Sequence, residues 1–178
     1  MEKYSRIKAL ISLDAIRYNF EQMKKNIKEG TKIIAVIKAD AYGHGAVPIA
    51  RMLEEFDYIW GFAAATAQEA LQLRKAGITR PILILGLVFE EYYKEHAEND
   101  VRMAVCDYET ARKFNKAAEE AGKKGLIHLA ADTGMTRIGF KDSEESLEEI
   151  RRIAALPNVE IEGLFTHFAR ADEYDRTP

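Results

Sequence analysis

The sequence predicts an α/β fold in which parallel strands alternate with helices, and three observations carry that reading. Short apolar runs rich in β-branched residues recur along the chain, the first being Ile33-Ile34-Ala35-Val36-Ile37. Such unbroken runs mark strands buried on both faces, as strands of parallel sheets are. Amphipathic stretches closed by glycine or proline lie between the runs, and strand and helix alternate at intervals of roughly 20 to 30 residues, the spacing of right-handed crossover units.

Taken in order, residues 7–13 alternate apolar and polar side chains, which suggests a half-exposed strand whose partner lies elsewhere. Residues 14–28 form the first long helical pattern. Strands are expected at 33–37, 58–65, 81–88, 101–106, Gly125–Ala131 and 159–168. Helices are expected at 66–76, closed by Gly77; at 109–121, closed by Gly122; and at 143–156, opened by Asp142 or Ser143 and stopped by Pro157. The segment Glu90-Glu91-Tyr92-Tyr93-Lys94-Glu95-His96 reads as a solvated helix face. The count is about six strand–helix units, fewer than the eight of a complete barrel.

A length of 178 residues suits one domain, and 47% hydrophobic residues suffice for a sizeable core. The net charge of -3 arises from 26 basic and 29 acidic residues scattered along the chain, without a basic stripe, so nucleic acid is not an expected partner. No apolar stretch reaches bilayer length and the first residues lack a signal-peptide pattern, so the expected location is cytoplasmic, with no membrane partner. The single cysteine, Cys106, excludes an intramolecular disulfide and reads as a buried, inert thiol in a strand. No spacing of His, Cys or carboxylates suggests a metal.

Lys38 stands at the C-terminal end of the first apolar run and is followed by Ala39-Asp40-Ala41-Tyr42-Gly43-His44-Gly45. In parallel sheets, open or closed, that edge presents ligand-binding and catalytic groups. Apolar neighbours disfavour the charged form of a lysine, and a neutral amine can attack a carbonyl to form an imine; the bland alternative is a solvated strand-end lysine. Tyr42 places a phenol on the loop beyond it, where the alternative is simple packing. Arg137 follows the strand Gly125–Ala131 and offers a planar fork for an anion, or else a surface ion pair with Asp132 or Asp142. His167 ends the run 159–168, either stacking on a flat ligand or satisfied in the core by a carbonyl. His44, between two glycines, reads as a loop residue.

The segment Lys38-Ala39-Asp40-Ala41-Tyr42-Gly43-His44-Gly45 resembles the pyridoxal-phosphate lysine motif of alanine racemases. Two further motifs of that family are matched in order: Asp132-Thr133-Gly134-Met135-Thr136-Arg137-Ile138-Gly139-Phe140, and Thr166-His167-Phe168-Ala169 with Ala171-Asp172 after it. The resemblance implies a (β/α)8 TIM-type barrel followed by a mostly β C-terminal domain that takes its first strand from the N-terminus. The chain would then be the N-terminal portion, with about six of eight units. Residues 1–13 would supply the extra N-terminal strand that joins the C-terminal β domain, residues 14–178 would be a partial barrel binding the cofactor, and the C-terminal domain would be absent.

The implied activity is interconversion of L-alanine and D-alanine with pyridoxal 5'-phosphate, supplying D-alanine for cell-wall peptidoglycan. Lys38 would hold the cofactor through an imine and then act as a base, Tyr42 would reach its phosphate, Arg137 would face its phenolic oxygen and the substrate carboxylate, and His167 would lie against its ring. Family enzymes are homodimers in which a tyrosine from the partner's C-terminal domain supplies the opposite base, so the isolated 178-residue polypeptide is expected to be inactive. One departure is Ala130, where family members often carry a carbamylated lysine that steadies the arginine; an anion, a water or another side chain would take its place. The competing readings are a serine racemase of the same family, a pyridoxal-phosphate-binding barrel without catalysis, and an inert fragment.

Overall fold

The runs expected as strands pair side by side, all parallel and in chain order: β1 (Ile33–Val36), β2 (Ile59–Ala64), β3 (Ile82–Ile84), β4 (Val101–Val105), β5 (Gly125–Ala131) and β6 (Val159–Thr166). The structure, a computed structural model, describes residues 7–173. Among the described residues, seven α-helical segments accompany the strands, α1 (Leu13–Lys25), α2 (Lys38–Gly43), α3 (Ala46–Leu53), α4 (Ala67–Lys75), α5 (Tyr93–Glu98), α6 (Tyr108–Ala121) and α7 (Glu144–Ala154), with a single 3-10 turn at Glu90–Tyr92 before α5. Parallel strands in sequential order, with β1 and β6 as the two edges, make an open six-stranded half-barrel.

Helix starts follow local chemistry. Ser12, Thr66, Asp107 and Ser143 are N-caps of α1, α4, α6 and α7, their side chains accepting backbone amides of the first turn. Each such cap is worth about 1 kcal/mol. Of the two caps considered for α7, the chain uses Ser143. Gly122 closes α6 in the left-handed conformation, φ 64°.

Helices cover one face of the sheet. Phe62, Ala64, Ile82 and Ile84 pack with Ile49, Leu53 and Leu73 in one apolar cluster; Met103, Val105, Ile127 and Leu129 pack with Phe114, Ala118 and Ile153 in a second. The concave face holds a polar group instead. Glu162 accepts both Nε and a terminal nitrogen of Arg102 at 2.9 Å and lies 3.0 Å from His128 Nε2, while the Trp60 ring lies 5.5 Å from the His128 ring, tilted 57° to it, and 5.7 Å from the Arg102 guanidinium. Trp60 and Glu162 are the two residues skipped by the strand registers, where Ile33/Ile34 pair with Ile59/Gly61 and Ile127/His128 pair with Ile161/Gly163. The bulges therefore turn both side chains inward. Gly163 has no alternative, since a Cβ there would sit 2.8 Å from the His128 ring.

At the opposite edge of the sheet from Lys38, arginines stitch the turns. Arg74 donates to the carbonyls of Ile78, Arg80, Asn99 and Asp100, and Arg80 to those of Glu54, Phe56 and Ile59. The N-terminal edge is thus built for stability, leaving the C-terminal edge for chemistry.

Three expectations are corrected. The strand at 7–13 is not formed: residues 7–12 carry no regular structure, Ile7 and Leu10 are 88% and 90% exposed, and Leu13 already belongs to α1 because Ser12 caps it. Residues 1–6 of the segment 1–13 that the resemblance assigns to the second domain lie outside the described ones. The helix around Glu90 is not a solvated face, since Tyr93, His96 and Ala97 are buried against α6 and the sheet. Cys106 is half-buried just past β4 rather than inside it, and burial pushes its thiol up.

Candidate active site

Lys38 leaves β1 through Ile37, which is buried, and its own side chain is half-buried at the C-terminal edge of the sheet. The next four residues wind the wrong way. Ala39, Asp40, Ala41 and Tyr42 all have φ between 50° and 54°, so the body of α2 is a left-handed turn whose four residues all carry a Cβ. At about 1–2 kcal/mol per residue this conformation costs several kcal/mol, more than a single hydrogen bond offsets.

A set of braces holds it. The Ala39 amide donates to Glu69 Oε1 at 2.9 Å, Ala41 N to Ile37 O at 2.9 Å, and Gly45 N to Asp40 O at 2.8 Å. Asp40 Oδ1 accepts Ala46 N at 2.7 Å, tying the turn to the start of α3. The His44 Nδ1 lies 3.0 Å and 3.1 Å from the carbonyls of Ala41 and Tyr42. Carbonyls only accept, so Nδ1 carries the proton. His44 is a structural residue of the turn. The turn folds Tyr42 back toward the lysine, whose Nζ lies 6.0 Å from the ring centroid.

Arg137 rides on the loop after β5. That loop is closed at its base by Asp132 N donating to Phe140 O at 2.9 Å and Phe140 N donating to Ala130 O at 2.8 Å. Gly139, at φ 128°, permits the closure, because a Cβ there would lie 2.6 Å from Asp132 N. Within the loop Asp132 Oδ1 accepts the amides of Thr136 at 2.9 Å and Gly134 at 3.1 Å, and these hold its carboxyl below the usual carboxylate range. With Asp132 engaged by backbone, Arg137 makes no ion pair among the described residues, with Asp132 or with Asp142. Thr133 Oγ1 lies 2.7 Å from Thr166 Oγ1, joining this loop to the end of β6, and His167 is the next residue.

The four candidate residues meet around one cavity of about 400 Å³, lined by Lys38, Tyr42, Arg137 and His167 with apolar wall from Val36, Leu83, Leu85 and Phe165. Ala130 lines it too, and is buried. Asp172 is exposed and not part of the wall. No group of His, Cys, Asp and Glu suited to a metal occurs among the described residues. Sequence reasoning missed Glu69, Asp132 and Asp40 as builders of the site. Only Glu69 left a local signal, the Thr66-x-x-Glu69 spacing of a capping box.

Related proteins carry the same arrangement of sequence and fold. The chain is 44% identical over 169 residues to the alanine racemase of Clostridium tetani, covering 95% of this chain and 43% of that protein. It is 46% identical over 176 residues to the alanine racemase of Clostridium kluyveri, covering 98% of this chain and 44% of the relative. An alanine racemase of Clostridium difficile 630 in complex with cycloserine superposes with a TM-score of 0.90 at 45% identity, over 93% of this chain and 45% of that one. The chain thus spans less than half the length of the relatives it matches. The family described as alanine racemase, N-terminal domain, matches residues 11–178, and the chain belongs to that family.

Proposed function

We propose that this chain is the cofactor-holding half-barrel of an alanine racemase, part of a (β/α)8 barrel completed by the rest of the protein. The observation that carries the proposal is the convergence of Lys38, Tyr42, Arg137 and His167, from three separated motifs, on one cavity. Pyridoxal 5'-phosphate fits that donor set: an amine for its aldehyde, a phenol and a guanidinium for its anionic oxygens, an imidazole for its ring face, and apolar wall around them. When bound, the cofactor supplies an aldehyde that the lysine amine can join and a ring that takes up the electron pair left when an α-proton departs.

The chain's own residues supply holding and proton transfer. Lys38 Nζ would hold the cofactor, and as a free amine it would take or return the α-proton from its side of the cavity. Tyr42 would donate a hydrogen bond to the phosphate, and Arg137 would orient the substrate carboxylate. His167, which lines the same cavity, would offer its imidazole to the face of the ring. Alanine as substrate is supported by the relatives' activity.

Tyr42, Arg137 and His167 are all exposed, which supports completion of the site by the second domain and by a homodimeric partner. The exposed Ile7 and Leu10 support a second-domain contact for the N-terminal segment. No helix of the described residues is long and apolar enough to cross a membrane. Titration of the natural full-length protein with pyridoxal phosphate tests the proposal: the wild type develops the absorption of a lysine-bound cofactor, and Lys38→Ala does not. Equal spectra would contradict it.

A further inference from the structure

We infer that Glu69 is a positioning residue for Lys38, acting through the backbone rather than on substrate. This inference rests on the reading of Lys38 given above. Glu69 stands on the first turn of α4, where its amide and side chain complete a capping box with Thr66, a role that needs only one of its oxygens. The carboxylate does more. Oε2 accepts Ala65 N at 2.8 Å and Thr66 N at 3.4 Å at the end of β2, while Oε1 crosses to the end of β1 and accepts Ala39 N at 2.9 Å. One side chain therefore clamps two neighbouring strand–helix junctions, and the amide it holds belongs to the residue next to the lysine.

That amide opens the left-handed turn, the segment with the least intrinsic tendency to keep its shape. As a first-turn amide, Ala39 N–H has no carbonyl within the turn to accept it, and the Ala39 side chain is a methyl group with nothing to contribute. The remaining braces, Asp40 to Ala46 and His44 to the carbonyls of Ala41 and Tyr42, secure the far end of the turn. Glu69 alone among these side chains secures the end from which Lys38 projects. Its loss frees the lysine's backbone and alters the 6.0 Å relation of Nζ to the Tyr42 ring.

The test compares Glu69→Gln and Glu69→Ala with Thr66→Ala in the natural full-length protein. Thr66→Ala removes the helix cap while leaving the contact to Ala39 in place. Amide hydrogen exchange at Ala39 reports the clamp directly, and the rate at which Lys38 captures pyridoxal phosphate, trapped by borohydride, reports the amine's placement. Both Glu69 variants are expected to exchange Ala39 about tenfold faster and to capture cofactor about tenfold more slowly, while Thr66→Ala, with a comparable loss in Tm, changes neither. Glu69→Gln, which keeps the side chain's size, decides the matter where Glu69→Ala is poorly folded. Ala39 protection and capture rates that fall in all three variants in proportion to Tm would overturn the inference. A wild type that captures no cofactor at Lys38 would overturn the proposed function instead, and Ala39 exchange in the Glu69 variants would still decide the clamp.

Discussion

The hydroxyls of Thr133 and Thr166 lie 2.7 Å apart, joining the loop that presents Arg137 to the strand end that presents His167. Two candidate ligand-binding residues from motifs about thirty positions apart in the chain thereby share one support, a pairing across β5 and β6 that fixes their separation. Motif residues need not touch substrate to be indispensable; Thr133 and Asp132 shape the loop that Arg137 needs.

Thr133→Val keeps the shape of that side chain and removes the hydroxyl. The expected result in the full-length enzyme is a rise in KM for the amino acid of about fivefold, the worth of one hydrogen bond, with Tm nearly unchanged because the site is exposed. Steady-state kinetics beside a thermal melt checks it; a large fall in Tm with KM intact would assign the pair to folding alone.

His96 is fully buried with both ring nitrogens lacking a hydrogen-bond partner, and burial pushes its pKa down from 6.5 to about 4. A histidine kept neutral in the fold but free to protonate when unfolded draws stability away as pH falls. The loss begins near 6.5 and ends near 4, amounting to about 3 kcal/mol at about 1.4 kcal/mol per unit. His96→Leu removes that dependence, so its stability relative to wild type is expected to increase steadily between pH 7 and pH 4. Denaturant melts across that range check the slope; parallel curves would contradict it.

Glu162 shows the opposite dependence. Its hydrogen bonds from Arg102, and secondarily from His128, outweigh desolvation and hold its carboxyl below 4.5. The stability this contributes is present above the unfolded value and lost as pH falls through the lower folded value. Glu162→Gln is expected to be less stable than wild type at neutral pH, with the difference closing as the pH falls below the ordinary glutamate range. A constant difference across pH would mean that packing around Trp60, not charge, is what the substitution disturbs.

Arg74 satisfies four backbone carbonyls at the edge remote from Lys38. A lysine cannot reproduce that planar fork, so Arg74→Lys is expected to cost about 2–4 kcal/mol of stability while leaving KM unchanged. A changed KM without a change in stability would refute the division of labour between the two edges.

Much of this was legible in the sequence because it is encoded locally. The run Gly125–Ala131 is apolar apart from His128 and of strand length, as a strand of a parallel sheet is, and its predicted bounds match the observed ones. Lys38, Arg137 and His167 could be placed at strand ends by the same reasoning. The left-handed turn was not legible: Ala39, Asp40, Ala41 and Tyr42 include no glycine to announce positive φ, and the clamp on Ala39 comes from thirty residues away. Alternation at 7–13 misled because period two favours a strand only where another strand can pair with it, whereas Ser12 offers a helix cap at once. The buried His96 was hidden among charged neighbours whose own side chains do face water.

The role proposed for Lys38 requires a covalent bond between its amine and pyridoxal phosphate. Borohydride reduction of the full-length protein with its cofactor, followed by proteolysis and mass spectrometry, measures it most directly. The phosphopyridoxyl group is expected on the peptide containing Lys38; its recovery on another lysine, or on none, would overturn the role proposed for Lys38.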